Sequence, residues 1–280
     1  MTLKLEAVGQ PLPESRLSYT WKDVVLYALA VGARETDLDL LLELRPLKVL
    51  PTYAVIPTFE PLRVALAAAR VDFLKVLHGE MRITLRAPIP SHGTLVTKSV
   101  ISGIYDVGKH AILHLDTVSS EDGQDIPLFE TRWTIVVRGE GGFGGTRPPS
   151  AGLVEPPADR LPDFRREVAT LPTQALLYRL TGDVNPLHAD PGVAKVMGYD
   201  RPILHGLCTY GHVGLVVARE LCGGDVRRLQ GFFARFLKEV YPGDSLTVEG
   251  WRLADGQVAV RALVGETVVL GNGLVTLNQD

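Results

Sequence analysis

Tyr178-Arg-Leu-Thr-Gly-Asp-Val-Asn-Pro-Leu-His-Ala-Asp190 is the stretch around which the chain is organised. A carboxylate, Asp183, stands five residues before an imidazole, His188, with Asn185 and Pro186 between them. Leu176 to Leu180 read as the end of a short helix. Gly182 can terminate that helix, because glycine tolerates the left-handed cap conformation. Pro186 cannot continue a helix and stiffens the loop. Asp190 and Pro191 then supply the N-cap and the first residue of a second helix. Asp183 and His188 are therefore expected on a constrained turn between helices. Two proton-exchanging groups held this way meet the geometric demand of general acid–base chemistry. A simpler reading makes Asp183 and Asn185 ordinary turn formers and His188 a helix cap.

The residues that follow favour the chemical reading. Fifteen residues after His188 comes Ile203-Leu-His-Gly-Leu-Cys-Thr-Tyr-Gly211, leading into the apolar run Leu215-Val-Val-Ala-Arg-Glu-Leu-Cys222. Gly206, at the mouth of a buried helix, offers a backbone N–H on the positive end of the dipole. That N–H is an oxyanion donor in waiting.

Together, Tyr-Arg-Leu-Thr-Gly-Asp-Val-Asn-Pro-Leu-His and Arg201-Pro-Ile-Leu-His-Gly-Leu-Cys-Thr resemble the signature of the type 2, R-specific enoyl-CoA hydratases. These are MaoC-like double-hotdog proteins that include the hydratase part of the peroxisomal multifunctional enzyme. Leu74-Lys-Val-Leu-His-Gly-Glu80, Gly141-Gly-Phe-Gly-Gly145 and Ala234-Arg-Phe-Leu-Lys-Glu-Val-Tyr-Pro-Gly243 are similar to other segments of that family, so the resemblance covers nearly the whole chain. It implies an α+β fold: a double hotdog, two antiparallel sheets each wrapped on a helix, the N-terminal repeat with a degraded central helix. It also implies that His78 and Gly79 contact the thioester ligand, that Phe143 folds against the acyl group, that Phe236 touches the ligand, and that the product is the (R)-3-hydroxyacyl thioester. On its residues alone, His78 reads as a strand-end histidine bonding a backbone carbonyl, and Phe236 as core packing. Relatives often carry a ligand-binding lysine near position 107; this chain has Val107, with Lys109 two residues on.

The bulk properties are those of an ordinary soluble globular protein. The 280 residues allow one large domain or two of about 130. Hydrophobic residues make up 46% and charged residues 22%. A net charge of −3 leaves no cationic footprint for nucleic acid. No apolar run reaches the roughly 20 residues that span a bilayer, the N-terminus lacks an apolar signal core, and Leu-Asn-Gln-Asp280 is not a peroxisomal Ser-Lys-Leu address. Cys208 and Cys222 are the only cysteines and read as reduced core thiols, which places the protein in the cytoplasm.

A weak internal repeat divides the chain. Leu26-Tyr-Ala-Leu-Ala-Val-Gly-Ala33 parallels Leu177-Tyr-Arg-Leu-Thr-Gly-Asp183, with Ala33 standing where the second half carries Asp183. No histidine follows at the matching distance, so the first half reads as a copy without the acid–base pair. Residues 1–138 are expected to form a non-catalytic repeat, which the resemblance implies binds the acyl chain, 139–162 a Gly/Pro-rich linker, and 163–280 a catalytic repeat. Gly141-Gly-Phe-Gly-Gly-Thr-Arg-Pro-Pro149 looks like a phosphate loop but lacks its Lys-Ser/Thr ending. The seven histidines are scattered, and His110 and His114 share one strand face without a third ligand, so no metal is expected. No cofactor is implied.

The expected reaction is hydration of a trans-2-enoyl-CoA, with Asp183 and His188 sharing a water, Asn185 orienting the loop or the water, and the Gly206 N–H receiving enolate charge. A dehydratase of another acyl thioester uses the same residues in reverse. A non-catalytic acyl-CoA-binding protein would be expected to have lost the pair, and here both members are present. Either a monomer or a homodimer is compatible with the chain.

Overall fold

The computed structural model describes residues 3–149 and 152–278. The terminal readings at Met1, Thr2, Gln279 and Asp280, and Ser150 and Ala151 of the linker, lie outside the described residues. Strand β1 (Ser15–Tyr19) runs into helix α1 (Trp21–Ala30), which starts on a capping box: the Thr20 N–H donates to the Asp23 carboxylate at 2.7 Å. A short α2 (Leu38–Leu41) and a fully buried 3-10 run, Pro51–Thr58, lead into α3 (Phe59–Ala68). Strands β2 (Val76–Leu85), β3 (Gly93–Asp106), β4 (Ala111–Glu121) and β5 (Pro127–Val137) complete the first half. The second half repeats the order with β6 (Phe164–Ala169), α4 (Gln174–Tyr178), α5 (Pro191–Val196), α6 (Gly206–Leu221), β7 (Leu229–Phe236), β8 (Ser245–Arg252), β9 (Gln257–Val264) and β10 (Thr267–Leu277). Between β5 and β6 no described residue lies in a helix or strand.

The two expected sheets are the halves of one continuous antiparallel sheet, ordered β1-β3-β4-β5-β2-β7-β10-β9-β8-β6. Read from either edge, corresponding strands occur in the same order, so the repeats meet at β2 and β7. There Met81 faces Ala234 and Ile83 faces Phe232 across the ladder. Opposed charges seal the joint: both Arg235 nitrogens that reach Glu80 bind one oxygen of its carboxylate, and the Thr134 hydroxyl donates to the other at 3.1 Å. A cross-strand ion pair of this kind stabilises the register rather than the fold at large.

Helix α6 is buried continuously from Leu207 to Ala218. A helix apolar on all sides needs neighbours on all sides. Glycines let them approach: a Cβ at Gly211 would lie 2.4 Å from Val31 Cγ1, and one at Gly214 would lie 2.7 Å from Thr52 Cγ2. So α6 packs directly on α1 and on the 3-10 run of the other half.

Among the described residues the first half has no equivalent long helix. Its 3-10 run contains Pro57 and gives way to the half-exposed α3, which buries Pro61, Ala65 and Leu66. Trp133 pins this element to β5 by donating its indole N–H to Thr58 Oγ1 at 2.9 Å. A roomy apolar channel is left beside α3. Among the described residues no helix is long and apolar enough to cross a membrane.

One expectation fails here. His110 precedes β4 and does not share a strand face with His114. Its Nδ1 accepts the Gly139 N–H at 3.1 Å, whereas His114 packs edge-on against Tyr105.

Candidate active site

The stretch 178–190 folds as its residues dictate. Helix α4 passes into a 3-10 turn, Arg179–Thr181, and Gly182 ends it at φ 135°, a region that side chains rarely enter. The Asp183 carboxylate then accepts the Asn185 N–H at 3.2 Å, an Asx turn that fixes its own orientation. The Asn185 side chain caps the next 3-10 turn by accepting the Leu187 N–H at 3.1 Å. Asp190 caps α5 through the N–H groups of Gly192 and Val193, with Pro191 in the first helical position.

His188 is buried and donates its Nδ1–H to the Ile203 carbonyl at 2.9 Å. A carbonyl only accepts, so this bond assigns the tautomer and leaves Nε2 with a bare lone pair. Burial depresses the His188 pKa, against an upward pull from Asp183 and the Ile203 carbonyl. The ring is thus neutral and basic at physiological pH. Gly206 is the first residue of α6, and N–H groups of a first helical turn have no acceptor within the helix. The Phe236 ring lies against Gly206: a Cβ there would stand 3.1 Å from Phe236 Cδ1.

Asp183, Asn185, His188, Gly206, Phe236, His78 and Gly79 all line one open cavity of about 1000 Å³. Its walls beyond them are largely apolar, with Ile56, Phe59, Leu62, Leu66, Trp133 and Ile135 running along the 3-10 run, α3 and β5. His78 lines the cavity and also bonds a backbone carbonyl. Its Nε2–H donates to the Glu80 carbonyl at 3.0 Å, and its ring stacks on Trp133 at 4.5 Å while facing Phe236 at 4.6 Å. Strand β2 bulges at Gly79, because the register to β5 skips from His78 to Glu80, and such a bulge re-aims the side chain beside it. Burial brings the His78 pKa down to about 3, so this ring too is neutral.

Phe143 is not brought to the cavity. Its segment is captured elsewhere: the Asp106 carboxylate accepts from the N–H groups of Gly142, Phe143 and Gly144 as well as its own hairpin's Gly108. Successive N–H groups around one anion make a nest. The glycine run that looks like a phosphate loop therefore already holds an anion, supplied by the chain itself.

His205 was not singled out from the sequence. It is the N-cap of α6, buried, with its ring stacked on His188 at 3.7 Å and 28°. Its Nε2–H donates to the Asp183 carbonyl at 3.1 Å. Ligand-type atoms of Asp183, His188 and His205 lie within 4.8 Å of one another, a grouping that linear spacing hid. Asp183 and His188 line the cavity, whereas His205 is not among the residues that do.

Two repeats joined edge to edge around central helices, with one acid–base loop over the mouth of a buried helix, define a double-hotdog protein. Residues 17–139 match the MFE-2 hydratase 2 N-terminal domain and residues 154–271 the MaoC like domain. The chain belongs to the MaoC-like hydratase 2 family. It is 40% identical over 271 residues to an enoyl-CoA hydratase of Mycobacterium tuberculosis, covering 93% of this chain and 92% of that one. It is 39% identical over 263 residues to the peroxisomal enoyl-CoA hydratase 2 of Arabidopsis thaliana, covering 87% and 85%. The crystal structure of a MaoC-like dehydratase from Phytophthora capsici superposes with a TM-score of 0.87 at 29% identity, covering 98% of each chain.

Proposed function

We propose that the protein is an R-specific enoyl-CoA hydratase, adding water reversibly across trans-2-enoyl-CoA thioesters to give (R)-3-hydroxyacyl-CoA. One observation carries the reading: a neutral imidazole with a bare Nε2, a carboxylate and the first N–H of a buried helix line the same apolar cavity. A water held between Asp183 and His188 loses a proton to that pair as its oxygen bonds to C3. The C2–C3 π electrons move through C2 onto the thioester oxygen, and the Gly206 N–H stabilises the charge there. The pair then returns a proton to C2 from the same face, so addition is syn and one water is consumed for each hydroxyl formed. A backbone donor of this type is worth about 3–4 kcal/mol of barrier, and a positioned acid–base group about 100- to 10,000-fold in rate.

The first repeat, without the pair, would bind the acyl chain along α3, and the cavity size favours medium to long chains. Asn185 would orient the loop, with His78, Gly79 and Phe236 against the thioester. Reduced, buried Cys208 and Cys222 suit a cytoplasmic protein acting in fatty-acyl breakdown; peroxisomal relatives make fluorescence localisation the check. A dehydratase reading shares every residue, and a relative 39% identical is a 3-hydroxyacyl-thioester dehydratase of Mycobacterium tuberculosis. The test is loss of the enoyl absorbance of crotonyl-CoA and trans-2-decenoyl-CoA, followed by chiral analysis of the product. Turnover to the (R) product supports the reading. Binding without turnover of either thioester contradicts it.

A further inference from the structure

The reacting groups sit on two separate segments, 183–188 before α5 and 203–206 entering α6. Two reciprocal hydrogen bonds join them. His188 of the first segment donates to the Ile203 carbonyl of the second at 2.9 Å, and His205 of the second donates to the Asp183 carbonyl of the first at 3.1 Å. The two donor rings stack on each other at 3.7 Å. Each ring thereby buttresses the other while holding the opposite backbone. His205 is also the covalent neighbour of Gly206 and the N-cap of α6.

We propose that His205 is the positioning residue of the site: its ring backs the His188 imidazole and its Nε2–H fixes the Asp183 backbone, so that the acid–base pair and the Gly206 N–H hold one spacing. The inference rests on the hydratase reading. His205 lies behind the cavity wall, so it acts through Asp183, His188 and Gly206 and touches no substrate. Burial, together with the neighbouring His188, puts its pKa well below the ordinary imidazole value, so the ring is neutral. The titratable and charged groups around the two rings are Asp183 on the first segment, Tyr178 at the end of α4, and Arg179. Tyr178 remains uncharged, since burial raises its pKa well above 10.

A plain helix cap would also use a buried polar side chain, and a pair of variants separates the two roles. His205→Phe keeps the stacked ring and loses the donor; His205→Gln keeps a donor near the Nε2 position and loses the ring. Displacing a reacting group by about 1 Å costs on the order of 100-fold. We expect His205→Phe to lose about 100-fold in kcat with KM changed less than about threefold, and His205→Gln to recover to within about tenfold of wild type.

Histidine side-chain 15N NMR supplies a readout independent of turnover. With Asp183 no longer held, its upward pull on His188 weakens, so the His188 midpoint in His205→Phe moves to lower pH and the Gln variant restores it. If folded His205→Phe keeps wild-type kcat and the wild-type His188 midpoint, His205 is only a cap and the proposal is overturned. Equal losses in both variants that track their thermal midpoints overturn it too. If the wild type turns over no enoyl-CoA, the hydratase reading falls, while the NMR comparison still decides the role of His205.

Discussion

Acidification to pH 5 is expected to destabilise the protein through histidines buried in the neutral form. His212 on α6 is 3% exposed and donates its Nδ1–H to the Cys208 carbonyl at 2.9 Å. Burial takes its pKa down to about 4. Its folded value lies below the unfolded value near 6.5, so the unfolded chain binds the proton more readily. The stability this provides is present above pH 6.5 and is lost as pH falls from there towards 4. Linkage over one site gives RT ln[(1 + 10^1.5)/(1 + 10^−1)], about 2 kcal/mol lost at pH 5 relative to pH 7.5. His78, with a pKa of about 3, would add about as much if sealed, but it faces the cavity and water there reduces its share. His188 and His205 act in the same direction.

The total is about 2–4 kcal/mol. With an unfolding entropy of about 2.1 cal/mol/K per residue over 280 residues, that lowers Tm by about 3–7 °C. Denaturant unfolding and thermal scans at both pH values measure it. His212→Asn keeps a donor near Nδ1 and removes the titration, so its pH slope should be shallower by about 2 kcal/mol, whatever its stability at pH 7.5. A wild-type stability that is flat from pH 7.5 to 5, or a His212→Asn slope as steep as wild type, would refute the reasoning.

Three further outcomes are expected. The acidic limb of kcat/KM should fall below pH 6.5, because burial lowers the His188 pKa and activity is lost as that ring takes a proton; a pH–rate profile with its limb at or above 6.5 speaks against His188 as the base. Gly206→Ala should lower kcat about 10- to 100-fold, since the new methyl meets the Phe236 ring at 3.1 Å and shifts the first N–H of α6; steady-state kinetics showing an unchanged kcat would exclude Gly206 as the oxyanion donor. Gly211→Ala should lower Tm by up to about 3 °C, because a methyl 2.4 Å from Val31 forces α6 off α1 at a cost of about 1–3 kcal/mol, offset by about 1 kcal/mol of helix propensity; a raised Tm by calorimetry would mean the interface is looser than described.

Local chemistry made the acid–base loop readable in advance. The Gly182 stop, the Asn185 turn and the Asp190–Pro191 helix start each depend on neighbours within four residues, so the sequence displays them. The apolar run of α6 displayed itself for the same reason. What stayed hidden depends on residues far apart meeting. His205 has its role only because the Asp183 carbonyl, 22 residues earlier, lies against its ring. The resemblance implies Phe143 against the acyl group, yet Asp106, 37 residues earlier, supplies the carboxylate that holds its segment elsewhere. The joining of two half-sheets into one depends on β2 and β7 pairing across about 150 residues, as Glu80 and Arg235 do (|i−j| 155), and no periodicity within either strand announces a partner.

The most direct test of the acid–base assignment is single-turnover hydration of trans-2-decenoyl-CoA by the wild type, Asp183→Asn and His188→Ala, with circular dichroism confirming that each is folded. The account predicts rapid hydration by the wild type and a loss of at least about 100-fold in the chemical step for both variants, with substrate binding retained. A folded variant that hydrates at the wild-type rate would contradict it.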